Sequence, residues 1–251
     1  MARIVLKPTT EKLSLVSLCK LGTAGGLPTV TGNDGYAVIE VGSVAAFRPI
    51  KQSYIVASFA VSAFGGPSTQ EVGQTLTNPA FSASYNRTPE TAFVQDDQGN
   101  PALDVSTTPT AFSYLHAYAK TANNATVTWN LAASEGGEIG TRATSAAWRP
   151  RVFYGIGVAG LSTEADIEGL ANQPLLPSRA VTFTVAPNVG EHIYFAAPTS
   201  YGTPTFTVGG FEGGFDFVGT VSVTNIYGVT QNYDLYRSTN SDLGATTVQV
   251  S

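Results

Sequence analysis

The chain has 251 residues and a formal net charge of −5, from 13 lysines and arginines against 18 aspartates and glutamates. Only 12% of residues are charged, against roughly 25% in an ordinary soluble domain, while 43% are hydrophobic. That balance argues against a basic nucleic-acid binder, charge-driven disorder and a helical coiled coil.

Residues 1–50 read as an N-terminal β or extended attachment segment ending near Arg48 and Pro49. Asn33-Asp34-Gly35 marks a turn there. The apolar stretch Leu13 to Leu18 lies between Lys12 and Lys20, with Glu11 before it and Leu18 before Cys19. Those flanks suit folded structure rather than a secretory or lipoprotein leader. Cys19 is the only cysteine, so neither an intrachain disulfide framework nor a cysteine zinc cluster can form. Its own role is open. No run of about 18 apolar residues occurs, so no membrane-inserting helix is expected. The sequons at Asn86 and Asn124 carry little weight without a secretion signal.

Residues 51–149 read as a β-sandwich. Strands are expected over Tyr54 to Val61, Ala80 to Tyr85, Ala111 to Tyr118 and Ala125 to Leu131, with turns at Gly65-Gly66-Pro67 and Asp97 to Asn100. The run Leu115 to Lys120 alternates less regularly, which leaves its register open. Trp148-Arg149-Pro150-Arg151 is a junction, because proline cannot donate to a ladder.

Residues 150–251 read as a second β-rich unit with one short helix near 162–171. Ser162 and Thr163 offer hydroxyl caps, and Thr163 and Asp166 stand at capping-box spacing. Glu164, Asp166 and Glu168 suit the positive end of the helix dipole. Ile167, Leu170 and Ala171 share a face, and Pro174 and Pro177 end the run. Alternating strands follow over Val181 to Val185, Thr203 to Val208, Phe215 to Thr224 and Thr246 to Val250. The expected fold class is mainly β.

The charge is unevenly spread. All five lysines lie at or before Lys120, and the later cations are arginines. The C-terminal half therefore presents a neutral, hydroxyl-rich surface, which favours close association because few strongly hydrated groups must be desolvated.

Several stretches together resemble a known group. The middle unit carries Glu71-Val72-Gly73-Gln74 through Phe81, Ser84 to Pro89, Leu103 to Ser106, and Trp148 to Gly155. The last hundred residues carry Ile193 to Ala196, Ser200 to Thr203, Val208 to Phe215, Val221 to Asn225, Tyr236 to Asn240 and Leu243 to Val248. These resemble the immunoglobulin-like module and C-terminal unit of virion structural proteins of tailed bacteriophages. The resemblance covers about residues 54–251 and is most specific in the last hundred. It implies an immunoglobulin-like β-sandwich followed by the second β-rich domain. It also implies a non-enzymatic tail, baseplate or fibre component, made in the host cytoplasm and located in the virion. Its partners would be other virion structural proteins and copies of itself, as a trimer in a fibre or a hexamer in a tail ring.

Patterns for catalysis or cofactors are weak. His116 and His192 both lie in strand-like runs beside aromatics, and no Gly-x-Ser-x-Gly elbow appears. Gly209 to Phe215 lacks the Lys-Ser/Thr and following helix of a phosphate loop, so its glycines read as turns. Asp96 to Asn100 has the oxygen density for calcium but lacks a distal glutamate, and reads as a turn. Glu164, Asp166 and Glu168 resemble glycosidase carboxylates in type only. No catalytic residue, metal or cofactor is expected. Tyr201, Phe211, Tyr227 and Tyr233 are the candidate interface or receptor contacts, since tyrosines stack on sugars and fill protein interfaces. Host-surface glycan recognition is the second reading, and a polysaccharide hydrolase acting through Glu164 or Asp166 is the third. In the expected division of labour residues 1–50 anchor the protein by strand addition, the sandwich acts as spacer, and residues 150–251 make the outer contact.

Overall fold

The computed structural model describes residues 36–41, 44–49 and 58–251. The chain divides into two compact units, Met1–Ser58 and Phe59–Ser251. In the first, strands β1 (Tyr36–Val41) and β2 (Val44–Pro49) pair antiparallel, with Tyr36 opposite Pro49. The turn at Asn33 to Gly35, the stretch Leu13 to Leu18 with Cys19, and the strand expected from Tyr54 as far as residue 57 lie outside the described residues.

The second unit is mainly β and holds two successive sandwiches. In the first, β3 (Val61–Gly65), β6 (Ala80–Tyr85) and β9 (Ala111–Ser113) form a three-stranded antiparallel sheet. It faces a five-stranded sheet of β4 (Gln70–Glu71), β12 (Glu138–Arg149), β11 (Ala125–Glu135), β7 (Thr91–Asp96) and β8 (Leu103–Asp104), in that order. A small pair, β5 (Thr75–Thr77) with β10 (Ala117–Ala119), closes one end. Strand β11 shows why the layers pack: Val127, Trp129, Leu131 and Ala133 are buried while Thr126, Asn130 and Ala132 are exposed. Phe81 of the opposite sheet meets Trp129 edge-on, 5.2 Å between ring centres.

The stretch Ala111 to Tyr118 is not one strand. It splits into β9 and β10, which join different sheets. Between them Tyr114 turns inward, its hydroxyl donating to the Pro101 carbonyl at 2.6 Å, while Leu115 is exposed. That crossing between layers is why the alternation lapses there.

The second sandwich has one sheet of β13 (Phe153–Val158), β15 (Glu191–Pro198), β19 (Thr230–Ser238) and β18 (Phe215–Thr224). The other runs β14 (Val181–Val185), β20 (Thr246–Val250), β16 (Phe206–Val208) and β17 (Phe211–Glu212). Phe183, Ile193, Phe195, Phe206, Val248 and Val250 fill the space between them. On the outer face of the first sheet, Tyr194, Ala196, Tyr233 and Leu235 pack with Ile167 and Leu170.

Those last two side chains belong to the helix segment. Helix α1 (Glu164–Glu168) starts at Thr163, whose hydroxyl accepts from the Asp166 N–H while the Asp166 carboxylate accepts from the Thr163 N–H at 2.8 Å. The expected span of 162–171 is shortened because the helix is capped at Gly169, well before Pro174. Ala171 consequently leaves the buried face and is exposed.

Candidate functional site

Two features of the second unit are candidates for function: the junction between its sandwiches and one lateral face of the second sandwich. At the junction, Glu71 ends β4 and Arg151 follows the Pro150 break. The Arg151 Nε and Nη2 donate to the two Glu71 carboxylate oxygens at 2.9 and 2.8 Å. This fork-on-fork geometry is the favourable one for arginine and carboxylate. Arg151 Nη1 also donates to Gln173 Oε1 at 2.7 Å. Glu71 is 5% exposed. The Glu71 hydrogen bonds push the Arg151 guanidinium above its ordinary value, although burial opposes this.

The β18–β19 turn reinforces the same junction. Asn225 Nδ2 donates to the Val72 carbonyl at 2.7 Å, while its Oδ1 accepts from the Tyr227 and Val229 N–H groups. Gly73, at φ +85°, lies under Val229 and Tyr227; a Cβ there would stand 2.4 Å from Val229 Cγ2. On another side, Asn123 and Asn124 donate to Ser200 Oγ and the Pro177 carbonyl. A cavity of about 130 Å³ remains, lined by Phe153, Tyr233, Glu168, Gln231, Ile226 and the Glu71–Arg151 pair among others. That is room for several waters or a small polar molecule.

Of the four contacts expected from sequence, Phe211 is 81% and Tyr227 40% exposed. Tyr201 is half-buried, its hydroxyl donating to the Leu176 carbonyl at 2.7 Å. Tyr233 is 4% exposed and meets Phe153 edge-on. It is therefore a packing residue that borders the cavity, not a surface contact. Its place beside Leu235 on the outer face of β19, the face covered by Ile167 and Leu170, explains this. Burial pushes its hydroxyl well above the ordinary tyrosine range, and the Glu71 carboxylate adds to that. The structure does not gather the four residues into one site.

The residues with catalytic or metal-binding side chains are occupied structurally. His192 Nδ1 lies 2.8 Å from the Ser238 carbonyl, and the His116 ring lies 4.9 Å from that of Tyr114. Glu164 Oε1 accepts from the Thr224 N–H at 2.5 Å, and Asp166 serves the helix cap. Hydrogen bonds from Ser162 and Thr163 hold the Asp166 carboxyl below its usual range. In the Asp96 to Asn100 turn, Asp96 accepts from Tyr118, Gln98 and Asn100. Burial would raise its carboxyl pKa, but these bonds outweigh it and the net shift is downward. Trp129 Nε1 donates in turn to the Tyr118 hydroxyl, so a buried polar chain runs from the core to the turn. Among the described residues no group of three His, Cys, Asp or Glu is placed to hold a metal ion. The Gly209-Gly210 and Gly213-Gly214 pairs all have positive φ and sit in turns between strands.

The lateral face is built from β17 and β18. Among the described residues each is the last strand of its sheet, so both sheets of the second sandwich end on this side. Phe211, Phe217 and Val218 are exposed here, Phe217 at 58%. Edge strands are ordinarily protected by charge, especially lysine. Between Thr203 and Thr224 the only charged residues are Glu212 and Asp216. Sequence reasoning singled out Phe211 but not Phe217, which lies on the same side of β18 as Phe215 and meets Tyr236, yet is exposed because β18 ends the sheet; alternation does not tell an end strand from a central one. Glu71 and Arg151 were also missed as partners, since they stand far apart in sequence.

Comparison with family models, with curated proteins and with solved structures returns no match.

Proposed function

We propose that this protein is a non-enzymatic structural component of a tailed-phage virion, a part of the tail, baseplate or fibre that works as a multimer. The observation that carries the reading is the lateral face: two strand edges without a partner strand among the described residues, three exposed large apolar side chains and no lysine. Such a face is a liability for a chain that stays alone and an asset for one that assembles. The latched junction supports it, since a Glu71–Arg151 fork and the Asn225 bond suit two sandwiches that must hold a fixed spacing. The resemblance of residues 54–251 to virion proteins supports the choice of particle. Partners on this reading are other virion proteins and copies of the chain, with residues 1–50 as the anchoring end. Quantitative mass spectrometry of purified particles tests it: a fixed copy number per particle is expected, and absence from intact particles would overturn it.

A second reading, recognition of a host-surface glycan, has one observation in its favour. The junction cavity, bordered by the buried Phe153 and Tyr233, carries the Glu168 carboxylate, the Gln231 amide and the Glu71–Arg151 pair, polar groups that can hydrogen-bond sugar hydroxyls. Glycan-array binding that is lost on Gln231→Ala is its expected result, and no binding by the intact chain removes it.

A further inference from the structure

We infer that the cavity at the junction of the two sandwiches is a binding site for a primary alkylammonium group, received by the Tyr233 hydroxyl, the Glu168 carboxylate and the Gln231 side-chain carbonyl. The inference shares its cavity with the glycan reading above but does not depend on it.

Most polar groups around the cavity are already occupied. Arg151 is held by Glu71 and Gln173. Gln173 Nε2 donates in turn to the backbone carbonyls of Glu168 and Leu170. The Asn225 amide is used on both ends, by the Val72 carbonyl and by its own turn. Three groups are left over. Tyr233 is 4% exposed, yet among the described residues its hydroxyl has no hydrogen-bond partner. Its oxygen is open to the cavity, beside the Glu71–Arg151 pair whose charges act on it. The Glu168 carboxylate, exposed at the mouth, accepts no hydrogen bond and joins no ion pair among the described residues. Gln231 Nε2 donates to Asn123 Oδ1, which leaves its Oε1 to accept. A buried hydroxyl without a partner is unfavourable and calls for something in the cavity to serve it.

Charge and shape select the guest. Glu71 and Arg151 neutralise each other, so Glu168 leaves the lining with one net negative charge. That disfavours an anion, and among the described residues no group of three His, Cys, Asp or Glu is placed to hold a metal ion. A primary ammonium carries three donors and no acceptor, which matches three groups that can all accept. Val223 and Val229 also line the cavity, and Ile226 stands at its rim 80% exposed. Apolar surface leading to a charged end suits an aliphatic stem. The volume of about 130 Å³ is a little under the roughly 150 Å³ that admits benzene, so an ammonium with a few methylenes fits. The walls come from both sandwiches, Glu71 and Val72 from the first and Glu168, Gln231 and Tyr233 from the second. An occupant therefore braces the same junction that the Glu71–Arg151 pair latches.

The test is an NMR titration of the full chain with n-butylammonium at fixed sodium chloride concentration. Amide shifts confined to the cavity lining and a Kd on the order of 1 mM are expected. 1-Butanol, with the same stem and no charge, should not bind. Nα-acetyl-lysine methylamide carries the same group on a peptide: tighter binding than butylammonium identifies a lysine of a partner protein as the guest, and weaker binding a free amine. Glu168→Gln and Tyr233→Phe should each weaken binding by about tenfold. Tyr233→Phe keeps the ring against Phe153 and should leave the Tm of the unliganded chain no lower, since the hydroxyl it removes has no partner. No shifts at on the order of 100 mM butylammonium, equal binding of butanol, or wild-type affinity in both variants overturns the inference. Butylammonium binding without glycan binding removes the glycan reading alone, and glycan binding without a response to butylammonium removes this inference alone.

Discussion

Replacing Arg151 by Met tests the junction most directly. The methionine keeps the stem but leaves the Glu71 carboxylate, 6% exposed as a side chain, without the two bonds it accepts at 2.9 and 2.8 Å. Stranding a fully buried partner costs about 3–5 kcal/mol. The Arg151 side chain is 34% exposed, so water already screens part of the pair and the expected loss is about 2–3 kcal/mol. For a unit of this size that corresponds to about 5–10 °C in Tm. Adding Glu71→Gln should restore part of the loss, because a neutral amide is cheaper to leave unpaired. Both tryptophans, Trp129 and Trp148, lie in the core of the first sandwich, so their fluorescence follows that half alone while circular dichroism follows both. Coincident urea transitions are expected for the wild type, and separated ones for Arg151→Met. A loss under about 0.5 kcal/mol, with transitions still coincident, would refute the idea that this pair holds the sandwiches together.

Other expectations follow the same reasoning. Tyr118→Phe removes a donor from the buried Asp96 carboxylate and should cost about 1.5–3 kcal/mol in urea unfolding. Because Asp96 is held below its ordinary value, its stabilisation is complete above about pH 4 and is lost as pH falls through the lower folded value. The acid-induced loss between about pH 4 and pH 2 should therefore be smaller in Tyr118→Phe than in the wild type. Gly73→Ala combines φ +85° with a 2.4 Å approach to Val229 and should lose about 2–3 kcal/mol. Gly99→Ala, at φ +82° in open space, should lose only about 1 kcal/mol; equal losses would mean the Val229 contact is irrelevant. Thr163→Ala should cost about 1 kcal/mol through the lost cap, measured by thermal unfolding.

Where one strand face is buried and the other wet, the sequence was sufficient. Ala80–Tyr85, Val181–Val185, Phe215–Thr224 and Thr246–Val250 form over the residues their alternation marks. The Thr163–Asp166 box also forms as its spacing implies. Alternation says nothing about which layer a strand joins, so the division of Ala111 to Tyr118 between two sheets was hidden. The site was less legible for a related reason. Tyr227 and Tyr233 are the same residue type on neighbouring elements, yet one lies in an exposed turn and the other on a buried strand face. Glu71 and Arg151 meet only because β4 runs parallel to the end of β12, a pairing that local pattern cannot signal.

Strand β15 has a consequence of its own. Ile193 and Phe195 face the core between the sheets, while Tyr194 and Ala196 face the cluster beneath α1. One strand is thus the common wall of two hydrophobic compartments, flanked by β13 and β19. Its amides can exchange with solvent only when both compartments open together, so hydrogen exchange should be slowest over Ile193 to Ala197. A void made in either compartment is transmitted through the shared wall to the other. The second sandwich therefore melts as one cooperative body, even though its hydrophobic interior is divided in two.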